Sequence, residues 1–62
     1  MPYTTVEFGK LLEGQSFRFN PLDETRYTRG REMPDRPGYG LFTDNRGRMR
    51  PCLLRLRVYT AA

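Results

Sequence analysis

The sequence predicts a mainly β domain in which the whole chain, residues 1–62, forms one unit. Three observations support this fold class. Apolar and polar residues alternate along much of the chain after Gly14, and this alternation is typical of half-buried strands. The segment from Tyr39 to Pro51 has the turn chemistry of a β-hairpin. A chain of 62 residues has room for one small core, so a second domain is not expected.

The segment before Gly14 predicts a short helix. Thr4 and Glu7 have the spacing of a capping box, in which each side chain binds a backbone N–H at the start of a helix. Gly14 supplies a C-terminal stop. Because two turns of helix are not stable alone in water, we expect this helix to dock its apolar face on the rest of the domain. That face consists of Phe8, Leu11 and Leu12.

Three further segments with a period of two predict strands. Phe17 and Phe19 flank a charged residue, so the two rings share the inward face. Tyr27 is the inward residue of residues 26–29. Residues 30–38 hold two glycines, two prolines and four charges, and they predict a loop. In the last strand, the inward residues Leu54, Leu56 and Val58 alternate with the outward residues Arg55, Arg57 and Tyr59.

The turn of the hairpin is predicted at residues 44–47. Asp44 and Gly47 occupy the first and fourth positions of a type I turn, and glycine readily adopts the left-handed conformation of a bulge residue. This favours the bulged register, in which Thr43 pairs with Met49. The alternative register, without the bulge, pairs Phe42 with Met49.

The bulged register also predicts which side chains face the core. Leu41 faces Pro51, and the opposite side carries Phe42, Arg48 and Arg50. We expect inward residues to be odd-numbered through Pro51 and even-numbered from Leu54, so the chain must bend, bulge or turn near Cys52. The predicted core consists of Phe8, Leu11, Leu12, Phe17, Phe19, Tyr27, Leu41, Met49, Leu54, Leu56 and Val58.

A short helix followed by about five short strands, with a tight turn before the last, predicts a small SH3-like or OB-like barrel. The residues Phe8, Leu11, Gly14 and Phe17 form the pattern F-x-x-L-x-x-G-x-x-F. In this opening the chain resembles many small phage- and plasmid-type proteins. The resemblance implies an SH3-like barrel. Since such proteins are largely without assigned function, it transfers no site residues.

The residue types present argue against an enzyme. The chain has no histidine, the commonest general base and metal ligand. Cys52 is alone, so neither a zinc site nor a Cys–His nucleophile can form within one chain. We expect no catalytic residue, no metal and no cofactor. The neighbouring carboxylates are expected to be solvated charges; they are Asp23 with Glu24, and Glu32 with Asp35.

Composition also indicates the compartment. A single cysteine offers no disulfide framework, which fits a reducing environment. No apolar run approaches the roughly 18 residues of a membrane span, and the N-terminus lacks the regions of a signal peptide. We therefore expect a cytoplasmic protein that does not associate with membranes.

The net charge of +4 comes from the C-terminal part of the chain. Residues 45–62 contain five arginines and no acidic residue (+5), whereas residues 1–44 contain six basic and seven acidic residues (−1). Guanidinium groups spaced along a strand are suited to bind phosphates, and nearby aromatic rings can stack on nucleic-acid bases. The candidate nucleic-acid-binding residues are Arg46, Arg48, Arg50, Arg55, Arg57, Phe42, Tyr59 and Tyr39.

Other interpretations of these arginines remain open. They could bind an acidic protein in an interaction module of mobile-element origin, or the edge strands could pair in a homodimer. They could also be ordinary solubility residues, since charged strands deter aggregation. Consecutive strands usually neighbour one another, so the nucleic-acid hypothesis expects one continuous arginine surface on the hairpin and the last strand. That surface would carry Arg48, Arg50, Arg55 and Arg57.

Overall fold

The structure, a computed structural model that describes residues 3–61, confirms the prediction of a mainly β protein. Within these residues, six short strands and one turn of 3-10 helix follow one another. In chain order the elements are β1 (Tyr3–Glu7), the 3-10 helix (Phe8–Lys10), β2 (Ser16–Phe17), β3 (Tyr27–Glu32), β4 (Tyr39–Thr43), β5 (Met49–Leu53) and β6 (Arg57–Ala61). Within residues 3–61, no helix is both long enough and apolar enough to cross a membrane.

The strands form two antiparallel sheets. β1 pairs with β6, and the other four strands lie in the order β2-β3-β4-β5. Arg18 and Tyr59 form a bridge between the two sheets, in which the N–H group of each donates a 2.8 Å hydrogen bond to the other residue's carbonyl oxygen. No closed barrel is found among the strands of the described residues.

The predicted N-terminal helix is not present, so that prediction was wrong. Thr4, Thr5 and Val6 belong to β1, and Val6 lies opposite Val58 of β6. β-branched side chains fit a pleated strand better than a helix, and this cross-strand pairing overrides the local capping-box pattern. Of residues 3–14, only Phe8–Lys10 is helical, as one turn of 3-10 helix.

The 3-10 helix is attached to the segment that follows β5. The N–H of Phe8 donates a 2.8 Å hydrogen bond to the carbonyl oxygen of Leu56, and the N–H of Gly9 donates a 2.6 Å hydrogen bond to the carbonyl oxygen of Leu54. These two bonds fix the position of the backbone, and the Phe8 side chain becomes fully buried.

The bulged register of the hairpin is confirmed. Thr43 pairs with Met49, as the turn chemistry predicted. The N–H of Asp44 donates a 2.9 Å hydrogen bond to the carbonyl oxygen of Arg48, which closes the turn. Gly47 has a φ of +80°, the left-handed conformation that glycine adopts without steric cost. Local turn chemistry therefore sets this register.

The predicted orientation of the hairpin was wrong. The even-numbered residues Phe42 and Cys52 face the core, whereas Met49 is 58% exposed on the opposite side. Leu41 and Phe42 are both apolar, and the larger ring of Phe42 joins the aromatic core. β5 also runs straight through the expected bend, and the chain turns at residues 54–55 instead.

The core is built mainly from aromatic rings. The ring centroids of Phe8 and Phe17 lie 5.3 Å apart and those of Phe17 and Phe42 lie 6.1 Å apart, both edge to face. This is a favourable geometry for aromatic pairs. The buried apolar side chains are Phe8, Leu11, Phe17, Phe42, Cys52 and Val58; those packed against them are Val6, Phe19, Tyr27 and Leu54.

Four predicted core residues do not belong to this cluster. Leu12 is 76% exposed because it follows the 3-10 helix and does not lie on a longer helical face. Met49 points to the outer face of the sheet, and Leu41 is half-buried. Leu56 is 44% exposed in the connection between β5 and β6. The other seven predicted core residues are buried or packed against the core.

A buried arginine also lies in the core. Arg29 of β3 lies opposite Phe42 in the register and is 4% exposed. Its Nε donates a 3.2 Å hydrogen bond to the carbonyl oxygen of Phe8, and its Nη1 donates to the carbonyl oxygen of Gly30. A Cβ at Gly40 would lie 3.1 Å from Nη1 of Arg29 and 3.1 Å from Cε2 of Phe8. Glycine at position 40 therefore leaves the room that Arg29 occupies.

Candidate functional site

An open concavity of about 430 Å³ lies beside the turn of the β4–β5 hairpin. We call it the hairpin concavity. It combines cationic and aromatic side chains, and its volume is within the ~300–1,000 Å³ typical of small-ligand sites. The residues that line it are Phe19, Thr25, Tyr27, Phe42, Asp44, Asn45, Arg46, Arg48 and Arg50.

The bulged hairpin brings three of the five predicted arginines to this concavity. Arg50 lies directly opposite Phe42 in the β4–β5 register, and side chains at such positions share one face of the sheet. Arg48 lies just before β5, and it lines the same concavity as Arg50. Arg46 lies in the turn itself. All three side chains are exposed and therefore available to a ligand.

Asp44 organises the turn that carries these arginines. Its Oδ1 accepts hydrogen bonds from the backbone N–H of Arg46 at 2.8 Å and from that of Arg48 at 2.9 Å. Its Oδ2 lies 3.9 Å from Nε of Arg50. The backbone N–H of Arg48, helped by that of Arg46 and by the charges of Arg50 and Arg48, holds the pKa of Asp44 below its ordinary value. Asp44 is therefore an ionised anchor within a cationic site.

Aromatic rings form the floor of the hairpin concavity. The centroids of Phe19 and Tyr27 lie 4.8 Å apart, and that of Phe42 lies 5.2 Å from Phe19 and 5.5 Å from Tyr27. Phe19 and Tyr27 are half-buried, so part of each ring remains accessible. Phe42 was expected to stack on a base beside the arginines, but it is 8% exposed and its ring is part of the core.

The last strand does not extend the arginine cluster of the hairpin. β5 pairs with β4 and β6 pairs with β1, so the expectation that the hairpin and the last strand are neighbours was wrong. Arg55 lies in the turn after β5, and Arg57 lies opposite Glu7 of β1. Neither lines the hairpin concavity.

The two remaining aromatic candidates also lie elsewhere. Tyr39 is half-buried at the start of β4, and the guanidinium carbon of Arg36 lies 4.8 Å from the centroid of its ring. Tyr59 is half-buried in β6 and forms the backbone bridge to Arg18. Neither ring lines the hairpin concavity.

Sequence reasoning missed several residues of this site. Phe19 and Tyr27 were assigned to the core alone, although a partly exposed aromatic ring can pack against the core and also face a ligand. No sequence pattern indicated that Thr25 and Asn45 belong to the site, because each lies in a polar connecting segment. The core position of Arg29 was also missed, although the alternation that places Tyr27 inward places residue 29 inward as well.

No metal centre is found in the part of the chain that the structure describes, where no three His, Cys, Asp or Glu side chains converge. Comparisons with known proteins give no further guide, since no family model, no curated protein and no solved structure matches this chain. The interpretation of the site therefore rests on its own chemistry.

Proposed function

We propose that this protein is a small non-enzymatic module that binds nucleic-acid phosphates at the hairpin concavity. The observation that carries the proposal is the convergence of Arg46, Arg48 and Arg50 on one concavity with an aromatic floor. Guanidinium groups form two parallel hydrogen bonds with a phosphate, and the charge of arginine does not depend on pH in the physiological range. Arg50 lies in β5 and Arg48 lies one residue before the strand begins. Two residues of extended backbone span roughly 6.5 Å, which is the scale of neighbouring phosphates.

The expected affinity follows from the number of phosphates contacted. A few contacts of this kind give nonspecific binding with Kd of roughly 10⁻⁴–10⁻⁶ M at physiological salt. The affinity should fall as the salt concentration rises, because bound phosphates release their counterions. The net charge of +4 assists the encounter with a polyanion.

We propose further that the fold is an SH3-like arrangement and that the resemblance to small phage- and plasmid-type proteins reflects kinship. The support is the set of short antiparallel strands, the bulged hairpin and the turn before the last strand. The barrel would be an open one, since the strands of residues 3–61 form two sheets that meet at the bridge between Arg18 and Tyr59.

Fluorescence anisotropy with labelled oligonucleotides at 50 mM salt tests the proposed function. We expect wild-type protein to bind, and we expect Arg48→Ala and Arg50→Ala each to weaken binding regardless of base sequence. Each variant should also reduce the slope of log K against log salt by about one unit. Arg31→Ala is the matched control, because Arg31 is exposed and carries the same charge but lies at a different hollow.

Two results would count against the proposal. The first is equal weakening by Arg31→Ala, which would indicate that total charge alone matters. The second is the absence of oligonucleotide binding together with tight binding of a polyglutamate peptide, which would assign the arginines to an acidic protein partner instead.

A further inference from the structure

We infer that the floor of the hairpin concavity stacks an unpaired base at Tyr27 and Phe19, so that the ligand is single-stranded nucleic acid. This inference deepens the proposed function and depends on it. Tyr27 and Phe19 take the stacking role that the sequence assigned to other aromatic residues. Phe42 belongs to the core, while Tyr39 and Tyr59 lie outside the concavity.

The two rings pack against the core but are not fully covered. Phe19 contacts Phe17 at 5.1 Å and Tyr27 at 4.8 Å between ring centroids, in both cases near perpendicular or T-shaped. Tyr27 in turn lies 5.8 Å from Phe17. Each ring is therefore fixed by the core on one side, while its half-buried state leaves part of it facing the concavity. A preorganised aromatic surface binds a planar ligand with little loss of side-chain entropy.

The position of the arginines relative to these rings fits a nucleotide. Arg46, Arg48 and Arg50 line the same concavity as Phe19 and Tyr27, so charged groups and aromatic rings border one space. A nucleotide is chemically complementary to this arrangement, because it joins an aromatic base to an anionic phosphate. An acidic peptide would match the arginines alone and would leave the aromatic floor without a planar partner.

The same geometry favours single strands over duplexes. In a duplex both faces of a base are covered by its neighbours in the stack, so no face is free to meet a protein ring. An unpaired base has a free face, and every base has one, so stacking of this kind tolerates any sequence. The concavity of about 430 Å³ is open to solvent, which lets a strand enter and leave it.

An abasic oligonucleotide provides the sharpest test, because it has the phosphates of a normal strand without the bases. We expect wild-type protein to bind oligothymidylate about ten-fold more tightly than an abasic strand of equal length, and more tightly than a duplex. Tyr27→Leu should remove most of the preference for bases, and Tyr27→Phe should retain it because the ring is preserved. Phe19→Leu gives a second variant should Tyr27→Leu fail to fold.

The outcomes separate this inference from the proposed function. Equal binding of abasic and normal strands, with Arg48→Ala weakening both, would overturn base stacking and leave phosphate binding intact. A Tyr27→Leu protein that melts like wild type and keeps the full preference for bases would also overturn it. If no oligonucleotide binds at all, the proposed function itself fails.

Discussion

The guanidinium carbon of Arg29 lies 4.6 Å from the centroid of the Phe8 ring, and Nε of the same side chain donates a hydrogen bond to the Phe8 carbonyl oxygen. Arg29 therefore contacts both the ring and the backbone of the most deeply buried aromatic residue. Among residues 3–61 no carboxylate forms an ion pair with Arg29, so its charge is stabilised by the ring and by carbonyl oxygens.

We predict that Arg29→Lys destabilises the protein by about 1–3 kcal/mol. A lysine has a compact ammonium group in place of the planar fork, so it cannot reproduce the stacking on Phe8 together with both hydrogen bonds. Urea denaturation measures the change. The control is Arg31→Lys on the same strand, where the side chain is exposed and the expected change is within about 0.5 kcal/mol. Equal stability of the two variants would show that Arg29 has no structural role.

These contacts illustrate what the sequence could and could not predict. The register of the hairpin depends on Asp44 and Gly47, which act within their own turn, so local chemistry predicts it. The choice between Leu41 and Phe42 as the inward residue depends on where β3 places Arg29 and Tyr27, which no local pattern contains. For the same reason the capping-box spacing at the N-terminus predicted a helix, while the partner of that segment in the fold is β6, at least 50 residues away along the chain.

The candidate site also has one part that local sequence patterns predict and another that depends on the whole fold. The turn and the alternation of β5 predict that Arg46, Arg48 and Arg50 lie together, and they do. The grouping of Arg55 and Arg57 with them assumed that β5 and β6 are neighbours, and strand order is a property of the whole fold. The aromatic floor could not be predicted, since it requires β2, β3 and β4 to meet.

The last strand provides a second test of the structure. We predict that Val58→Ala costs about 2 kcal/mol of the free energy of unfolding, because Val58 is fully buried and the variant leaves a cavity. Leu56→Ala removes more apolar atoms from a side chain that is 44% exposed, so it should cost less. Thermal denaturation of the two variants shows which substitution lowers the stability more. A larger loss of stability from Leu56→Ala would contradict the burial of Val58 and the exposed position of Leu56 in the connection before β6.

Cys52 should be unreactive in the folded protein. Burial raises the pKa of its thiol, although the nearby charge of Arg29 opposes this effect, so the reactive thiolate is scarce at neutral pH. We expect alkylation by iodoacetamide to be at least about ten-fold slower in buffer than in denaturant, since reaction requires opening of the core. Reaction at the same rate in both conditions would show that the thiol is accessible and that the packing around Cys52 is not as described.

Asp44→Asn should strengthen the binding of oligonucleotides. The amide oxygen can still accept the backbone hydrogen bonds of the turn, while the negative charge beside Arg50 is removed. At separations of about 8 Å in a solvated site this charge weakens phosphate binding by roughly two-fold, and closer approach increases the effect. We therefore expect an affinity about two- to five-fold higher than that of the wild type in the anisotropy measurement at 50 mM salt. Unchanged binding by a fully folded Asp44→Asn protein would place the phosphates away from this concavity.

The same variant tests the pH dependence of stability. The folded protein holds the pKa of Asp44 below its ordinary value of 3.8, so the ionised form stabilises the folded state. This contribution is fully present at pH values above 3.8 and is lost as the pH falls through the lowered value in the folded state. Between neutral pH and pH values below 3.8, the wild type should therefore lose more stability than Asp44→Asn, which has no carboxylate at this position. Thermal denaturation across this range measures the difference, and parallel curves for the two proteins would show that the Asp44 carboxylate does not stabilise the turn.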